Sequence, residues 1–155
     1  MRNLILKIIN SLIKLQFPEV EKIDSETLSQ WQADTSKIQP LLFDARTEEE
    51  YVVSHLKNAI PIDLTREDFI DTLNFPVDIP VVVYCSVGYR SAIVAKKLQN
   101  AGFSQVFNLS GGIFEWANEQ RPMFQLISEK LHLTTSVHPY NATWGRLLRI
   151  QNRSK

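Results

Sequence analysis

Three layers, α/β/α, around a central parallel sheet make up the architecture this sequence predicts. Three observations carry it. From Val20 onward, short apolar runs alternate with segments that open on helix-start signals, the rhythm of an α/β layered domain. The strongest apolar run, Val81-Val82-Val83-Tyr84, has no polar side, so it fits a strand covered on both faces in the middle of a parallel sheet. The length of 155 residues favours one domain and is enough to bury a real core.

The elements follow in order. Residues 1–17 predict an amphipathic helix with Leu4, Ile5, Ile8, Ile9, Leu12 and Ile13 on one face and Asn3, Lys7, Asn10, Ser11 and Lys14 on the other. Those polar residues interrupt the apolar run too often for a transmembrane span or a signal-peptide core. Two uses fit residues 4–15: packing on the domain or on a second copy, or weak contact with a membrane surface. Packing is the plainer use of such a helix, and lysines with no acid before Glu19 are what supports membrane contact. Residues 18–122 predict the α/β domain itself. Val20–Ile23 reads as a strand, Ser25–Gln32 as a short helix capped by Ser25, and Leu41–Phe43 as a buried strand ending at Asp44. Thr47 to Glu50 is a capping box, with three acids in the first turn at the positive end of a helix. Ala59–Ile62 is a further strand, and Thr65–Leu73 a helix opened by Thr65 with Asp68 three residues on. Pro76 and Pro80 frame a loop before Val81–Tyr84. Ser91–Ala101 is a helix stopped by Gly102, with Phe103 as a hydrophobic latch. Val106–Leu109 is a strand, Gly111-Gly112 a turn and Ile113–Glu119 a helix. Past Pro122 the periodicity fades, and residues 123–155 predict an irregular extension packed on the domain. His138, Tyr140 and Trp144 seat it near the pocket mouth.

Composition narrows the function. Seventeen basic residues balance seventeen acidic ones, so no overall field draws the chain to nucleic acid. A single cysteine excludes an internal disulfide framework and fits a reducing cytoplasm, where the thiol is free to react. His55, His132 and His138 lack the spacing of a metal site.

The chemistry centres on CSVGYRS, residues 85–91. Cys85 ends the central strand, and a helix starts a few residues later. In open α/β sheets ligands bind at that carboxyl end. A short strand-to-helix loop turns its amides inward as a nest for negative charge, and the helix adds its positive end. A cysteine held there has its thiolate stabilised and becomes a nucleophile near neutral pH. By strand position alone a lone cysteine is a small buried hydrophobe. Gly88, which allows a sharp turn, and Arg90, which adds positive charge at the rim, are features an inert position does not require.

CSVGYRS resembles the active-site loop of single-domain rhodanese-like sulfurtransferases. Two flanking segments resemble that family's other signatures: LLFDARTEEEYVVSHLKNAIPI, residues 41–62, and NLSGGIFEWANEQRP, residues 108–122. The resemblance covers roughly residues 20 to 122. It implies Cys85 as the persulfide-forming nucleophile and Ser86, Val87, Gly88, Tyr89 and Arg90 as the loop that cradles the sulfur through backbone amides. It also implies Arg46 as a residue helping to hold an anionic donor, with Asp44 structural beside it and His55 and Trp116 packing the domain. No metal or organic cofactor is implied. The implied partners are a small anionic sulfur donor such as thiosulfate and a thiophilic acceptor: cyanide, a thiol or a protein cysteine. Ser54 and Asn58 depart from the family's glycines, so those turns are made differently, or with Asn58 left-handed.

Two other readings compete. Cys-based phosphatases and arsenate reductases of the same fold place one more residue between Cys and Arg than the four found here, Ser86 to Tyr89. A loop that much shorter is sized for a sulfur atom. A binding or regulatory module recruiting a protein partner or a membrane surface is the rival from another class, because fold alone does not establish activity.

Overall fold

The computed structural model describes residues 1–155. Five strands, β1 (Glu21–Ile23), β2 (Leu41–Asp44), β3 (Ile60–Pro61), β4 (Val81–Tyr84) and β5 (Val106–Leu109), form one parallel sheet in the order β1-β5-β4-β2-β3. The helices are α1 (Arg2–Gln16), α2 (Ser25–Ala33), α3 (Glu48–Val53), α4 (Tyr89–Asn100) and α5 (Gly112–Asn118). β4 takes the centre because its four residues are apolar on both sides, and all four are fully buried. Val82 and Tyr84 enter one core with Leu28 of α2 and Ile113 and Phe114 of α5. Val81 and Val83 enter the other with Val94, Ala95 and Leu98 of α4. Each valine sealed this way stabilises the fold by about 1.5–3 kcal/mol. The three expected layers are present, and the centre of the sheet is fixed by its most apolar strand.

Several local expectations change. The cap of α2 is Asp24, whose Oδ1 accepts from Thr27 N at 2.7 Å, while Ser25 is buried behind it. No helix forms over 65–73. Asp63 Oδ1 takes both the amide and the hydroxyl of Thr65, so the Thr65 side chain bonds backward instead of capping forward. The segment then runs as successive turns, with Asp71 N to Asp68 O and Leu73 N to Ile70 O both at 3.0 Å. Phe69 still reaches the core on the α4 side.

Beyond Pro122 the chain is more regular than its pattern. β6 (Met123–Ile127) and β7 (Lys130–Thr134) pair antiparallel as a hairpin. Its turn residues, Ser128 and Glu129, both have positive φ, 47° and 63°. Such turns usually carry Asn-Gly, so the sequence gives no hairpin signal there. The hairpin docks through His55, whose N–H and carbonyl pair with Phe124, both at 2.9 Å. Residues 135–155 then fold back over the α5 side, where Val137, Leu147 and Leu148 are buried and Asn118 Nδ2 donates to the Leu147 carbonyl.

α1 is seated on a different side from the one its pattern favours. Leu6 and Ile13 are the buried residues, with Ile9 packed against the core, whereas Leu4, Ile5, Ile8, Leu12 and Leu15 are exposed. The apolar arc is wider than the contact, so only one flank of it is used. Asn10, assigned to the polar side, faces the domain, and its Oδ1 accepts the Gly111 N–H at 3.2 Å. No helix is long and apolar enough to cross a membrane.

Candidate active site

β4 delivers Cys85 to the carboxyl end of the sheet, between the ends of β2 and β5. The thiol is 1% exposed, and the Gly88 N–H donates to its Sγ at 3.1 Å. Gly88 holds φ +108°, a conformation that side chains strain, and it is the residue immediately before α4. The first amides of α4 have no acceptor within their own helix, and the sulfur sits beside that end.

Two neighbouring elements fix the loop. From β5, Asn108 is buried; its Nδ2 donates to the Gly88 carbonyl at 2.9 Å and its Oδ1 accepts the Ser91 hydroxyl at 2.6 Å. Ser91 Oγ also lies 3.4 Å from Cys85 Sγ, so its single proton stands between a strong and a weak acceptor. From below, the start of α5 donates Ile113 N–H to the Cys85 carbonyl at 2.9 Å and Phe114 N–H to the Ser86 carbonyl at 3.1 Å. Gly112 makes that approach possible, because a Cβ there would collide with both carbonyls.

Arg90 is a bound cation. Its Nη1 and Nη2 each reach Glu50 at 2.8 Å in a bidentate pair, and Nη2 also donates to Ser86 Oγ at 2.9 Å. Glu50 is the capping-box acid of α3, whose Oε2 accepts Thr47 N–H at 2.9 Å, and it is fully buried. Burial pushes its carboxyl up, but the Arg90 and Thr47 hydrogen bonds outweigh that and hold it down at about 2. For Arg90, burial opposes the charge while the Glu50 hydrogen bonds and the nearby Cys85 raise its pKa above the usual arginine value. On its other side the guanidinium lies 4.9 Å from the Tyr140 ring centre.

Arg46 is placed elsewhere. It is buried, with Nε and Nη2 on the two Asp44 oxygens at 2.9 and 2.7 Å and Nη2 on the Ser54 carbonyl at 2.6 Å. Tyr84 Oη donates to the same Asp44 at 2.6 Å and accepts Leu56 N–H at 3.1 Å. Burial works against the Arg46 charge, and Asp44 overrides it. This pair ties the end of β2 to residues 54–56 and does not line the cavity above Cys85. His55 stacks on Tyr51 at 4.3 Å, and Trp116 Nε1 donates to the Pro122 carbonyl, so both pack the domain. Asn58 has φ 60°, the left-handed turn, and Ser54 is extended at −167°.

The fold and this loop match one family. Residues 25–119 match the rhodanese-like domain. The chain belongs to the rhodanese-like family. A sulfurtransferase of Allochromatium vinosum is 38% identical over 104 residues, 67% of this chain and 94% of that protein. The adenylyltransferase and sulfurtransferase uba4 of Ogataea parapolymorpha is 29% identical over 113 residues, and a tRNA uridine(34) hydroxylase of Escherichia coli 34% over 86. This chain spans only 28% and 25% of those two proteins. Among solved structures, the thiosulfate sulfurtransferase of Pseudomonas aeruginosa superposes with a TM-score of 0.62 at 20% identity, over 82% of this chain and 24% of that one. The polysulfide-sulfur transferase homodimer of Wolinella succinogenes gives 0.60 at 21%, over 81% and 93%. Both share the fold.

The rhodanese-like loop opens into a cavity of about 360 Å³. Cys85, Ser86, Val87, Tyr89 and Arg90 form its floor and one side. Ile9, Leu12, Ile13 and Gln16 of α1 form a wall, and Tyr140 and Trp144 of the C-terminal segment close the far side. α1 is held there by Gln16 Nε2 donating to Tyr89 Oη at 3.3 Å and by Phe17 set edge-on to Tyr89 at 6.1 Å. A larger groove of about 880 Å³ lies at the opposite, amino end of the strands, lined by Trp31, Ile38 and Pro80 among others, and it holds no cysteine. No group of three or more metal-ligating side chains comes together anywhere in the chain. Sequence reasoning did not find Glu50, Ser91, Asn108, Gly112 or the α1 wall as parts of the site. The capping box pointed to Glu50, but only as a helix start.

Proposed function

We propose that this chain is a sulfurtransferase that carries a sulfane sulfur on Cys85. The observation supporting it is the Gly88 amide aimed at Cys85 Sγ at 3.1 Å where β4 runs into α4. The Cys85 thiolate attacks the sulfane sulfur of a donor such as thiosulfate. A bond forms between Sγ and that sulfur, the donor's sulfur–sulfur bond breaks, and sulfite leaves with the electron pair. The terminal sulfur of the persulfide then carries the negative charge beside the Gly88 amide and the first turn of α4. Cyanide, a thiol or a protein cysteine takes the sulfur and returns the thiolate. Cys85 is the chain's one cysteine, so release depends on an outside acceptor.

The test is intact-protein mass after incubation with thiosulfate and, separately, with polysulfide. The expected result is a gain of one sulfur, removed by cyanide or dithiothreitol and absent from Cys85→Ser. No gain from any donor would end this reading and leave a binding module.

A further inference from the structure

The charge and the lining of the cavity over Cys85 point beyond a small inorganic donor. This inference rests on the sulfurtransferase reading and concerns what that site accepts. Arg90 is the sole charged side chain in the lining, and Glu50 neutralises it with two hydrogen bonds. A dianion such as thiosulfate therefore meets no free cation, only amide and helix-end dipoles. The walls are mostly apolar: Ile9, Leu12 and Ile13, with Gln16 as the one polar α1 residue, on one side, and Tyr140 and Trp144 on the other. The cavity of about 360 Å³ is larger than a small inorganic anion such as thiosulfate needs. All of these wall residues lie outside the matched family region, 25–119. They come from the segments that flank the matched domain and are placed around its nucleophile.

We propose that the site takes an organic sulfane-sulfur compound, with an aryl or branched-alkyl body lying between α1 and the Tyr140–Trp144 wall. For a thiosulfonate, Cys85–S⁻ and R–SO2–S⁻ give Cys85–S–S⁻ and R–SO2⁻. The new bond joins Sγ to the sulfane sulfur, the sulfonyl–sulfur bond breaks, and the electron pair leaves on the sulfinate. Charge balances, and no proton, oxidant or reductant is required. The apolar body fills the cavity while the reacting sulfur reaches the Gly88 amide.

The experiment compares benzenethiosulfonate, methanethiosulfonate and thiosulfate as donors to the full chain. Single-turnover persulfidation of Cys85 is followed by intact mass. Each rate is divided by the same donor's rate with N-acetylcysteine, which removes differences in intrinsic reactivity. The expected preference for the benzene over the methane compound is at least about tenfold, the scale on which apolar pockets discriminate. Leu12→Ser and Trp144→Ala, at positions 59% and 36% exposed, should each cut that ratio several-fold without lowering the melting temperature by more than a few degrees. A ratio near one, thiosulfate as the best donor, or a preference untouched in both variants would overturn the organic-donor inference while leaving sulfurtransfer standing. Absence of a persulfide with every donor would instead remove the sulfurtransferase reading, and this inference with it.

Discussion

Replacing Glu50 by glutamine isolates the charge of one buried pair. Gln keeps the shape, can still accept the Thr47 amide in the capping box, and leaves an acceptor for Arg90. What it removes is the negative charge and one of the two acceptor oxygens, so that an amide NH2 now faces Arg90 Nη2. The folded carboxyl sits at about 2 against an ordinary 4.5, and at about 1.4 kcal/mol per pH unit that gap is worth about 3 kcal/mol. Removing one partner of a buried pair costs roughly 3–5 kcal/mol. Arg90 keeps 25% of its side chain exposed, which places the loss at the low end. Urea unfolding at neutral pH should therefore show Glu50→Gln less stable by about 2–3 kcal/mol, a drop in melting temperature of roughly 5–10 °C. The folded value lies below the unfolded one, so this stability is fully present above about pH 4.5 and is lost as pH falls toward 2. The gap between the two proteins should accordingly narrow as urea melts are taken from neutral pH down to about pH 3. Equal stability at neutral pH, or a gap that stays constant down to the acid end, would show that the ion pair does not carry this stability. The same substitution unmasks Arg90, and persulfidation by thiosulfate should become faster relative to benzenethiosulfonate.

Three further outcomes follow from the loop and the hairpin. Gly112→Ala drives a methyl into the Cys85 and Ser86 carbonyls at φ +55°, and should cost about 2–4 kcal/mol in thermal melts and abolish the mass gain with sulfur donors. A melting curve like the parent's would contradict the placement of α5 under the loop. Ser91→Ala leaves Asn108 Oδ1 buried without its donor and takes a hydroxyl from the sulfur. It should lower stability by about 1–3 kcal/mol and slow iodoacetamide alkylation of Cys85 several-fold at neutral pH; unchanged alkylation would remove Ser91 from the site. The pair Ser128→Asn and Glu129→Gly suits the two positive-φ turn positions and should raise stability by about 0.5–1 kcal/mol in urea melts, with no gain if the turn is of another type.

Much of the fold and of the Cys85 loop is legible in the sequence. Val81–Tyr84 announced itself as the central strand because it lacks a polar face, and Gly88 announced a turn before a helix. What stayed hidden was long-range. Nothing near Glu50 says that its carboxylate, already used at a helix start, also reaches Arg90 forty positions on. Asn108 reads as a polar residue in a strand, and only the pairing of β4 with β5 puts it beside Gly88 and Ser91. Arg46 lies in a matching motif, yet its guanidinium is drawn down to Asp44 by a contact two residues away. The α1 pattern was wide enough to offer several faces, and tertiary contact chose the one through Leu6 and Ile13. The Ser128–Glu129 turn had no glycine or asparagine to betray it.

The walls of the Cys85 cavity come from stretches made at very different times during translation. α1 emerges before the sheet that it packs on. The sheet and the Cys85 loop follow, and Tyr140 and Trp144 are added only after the whole rhodanese-like domain has left the peptidyl-transferase centre. A nascent chain that has already folded its sheet thus carries a nucleophile uncovered on one flank. Thiol reactivity then reports on the closing of the cavity: oxidants or alkylating agents should strike Cys85 faster before the Tyr140–Trp144 segment docks than after.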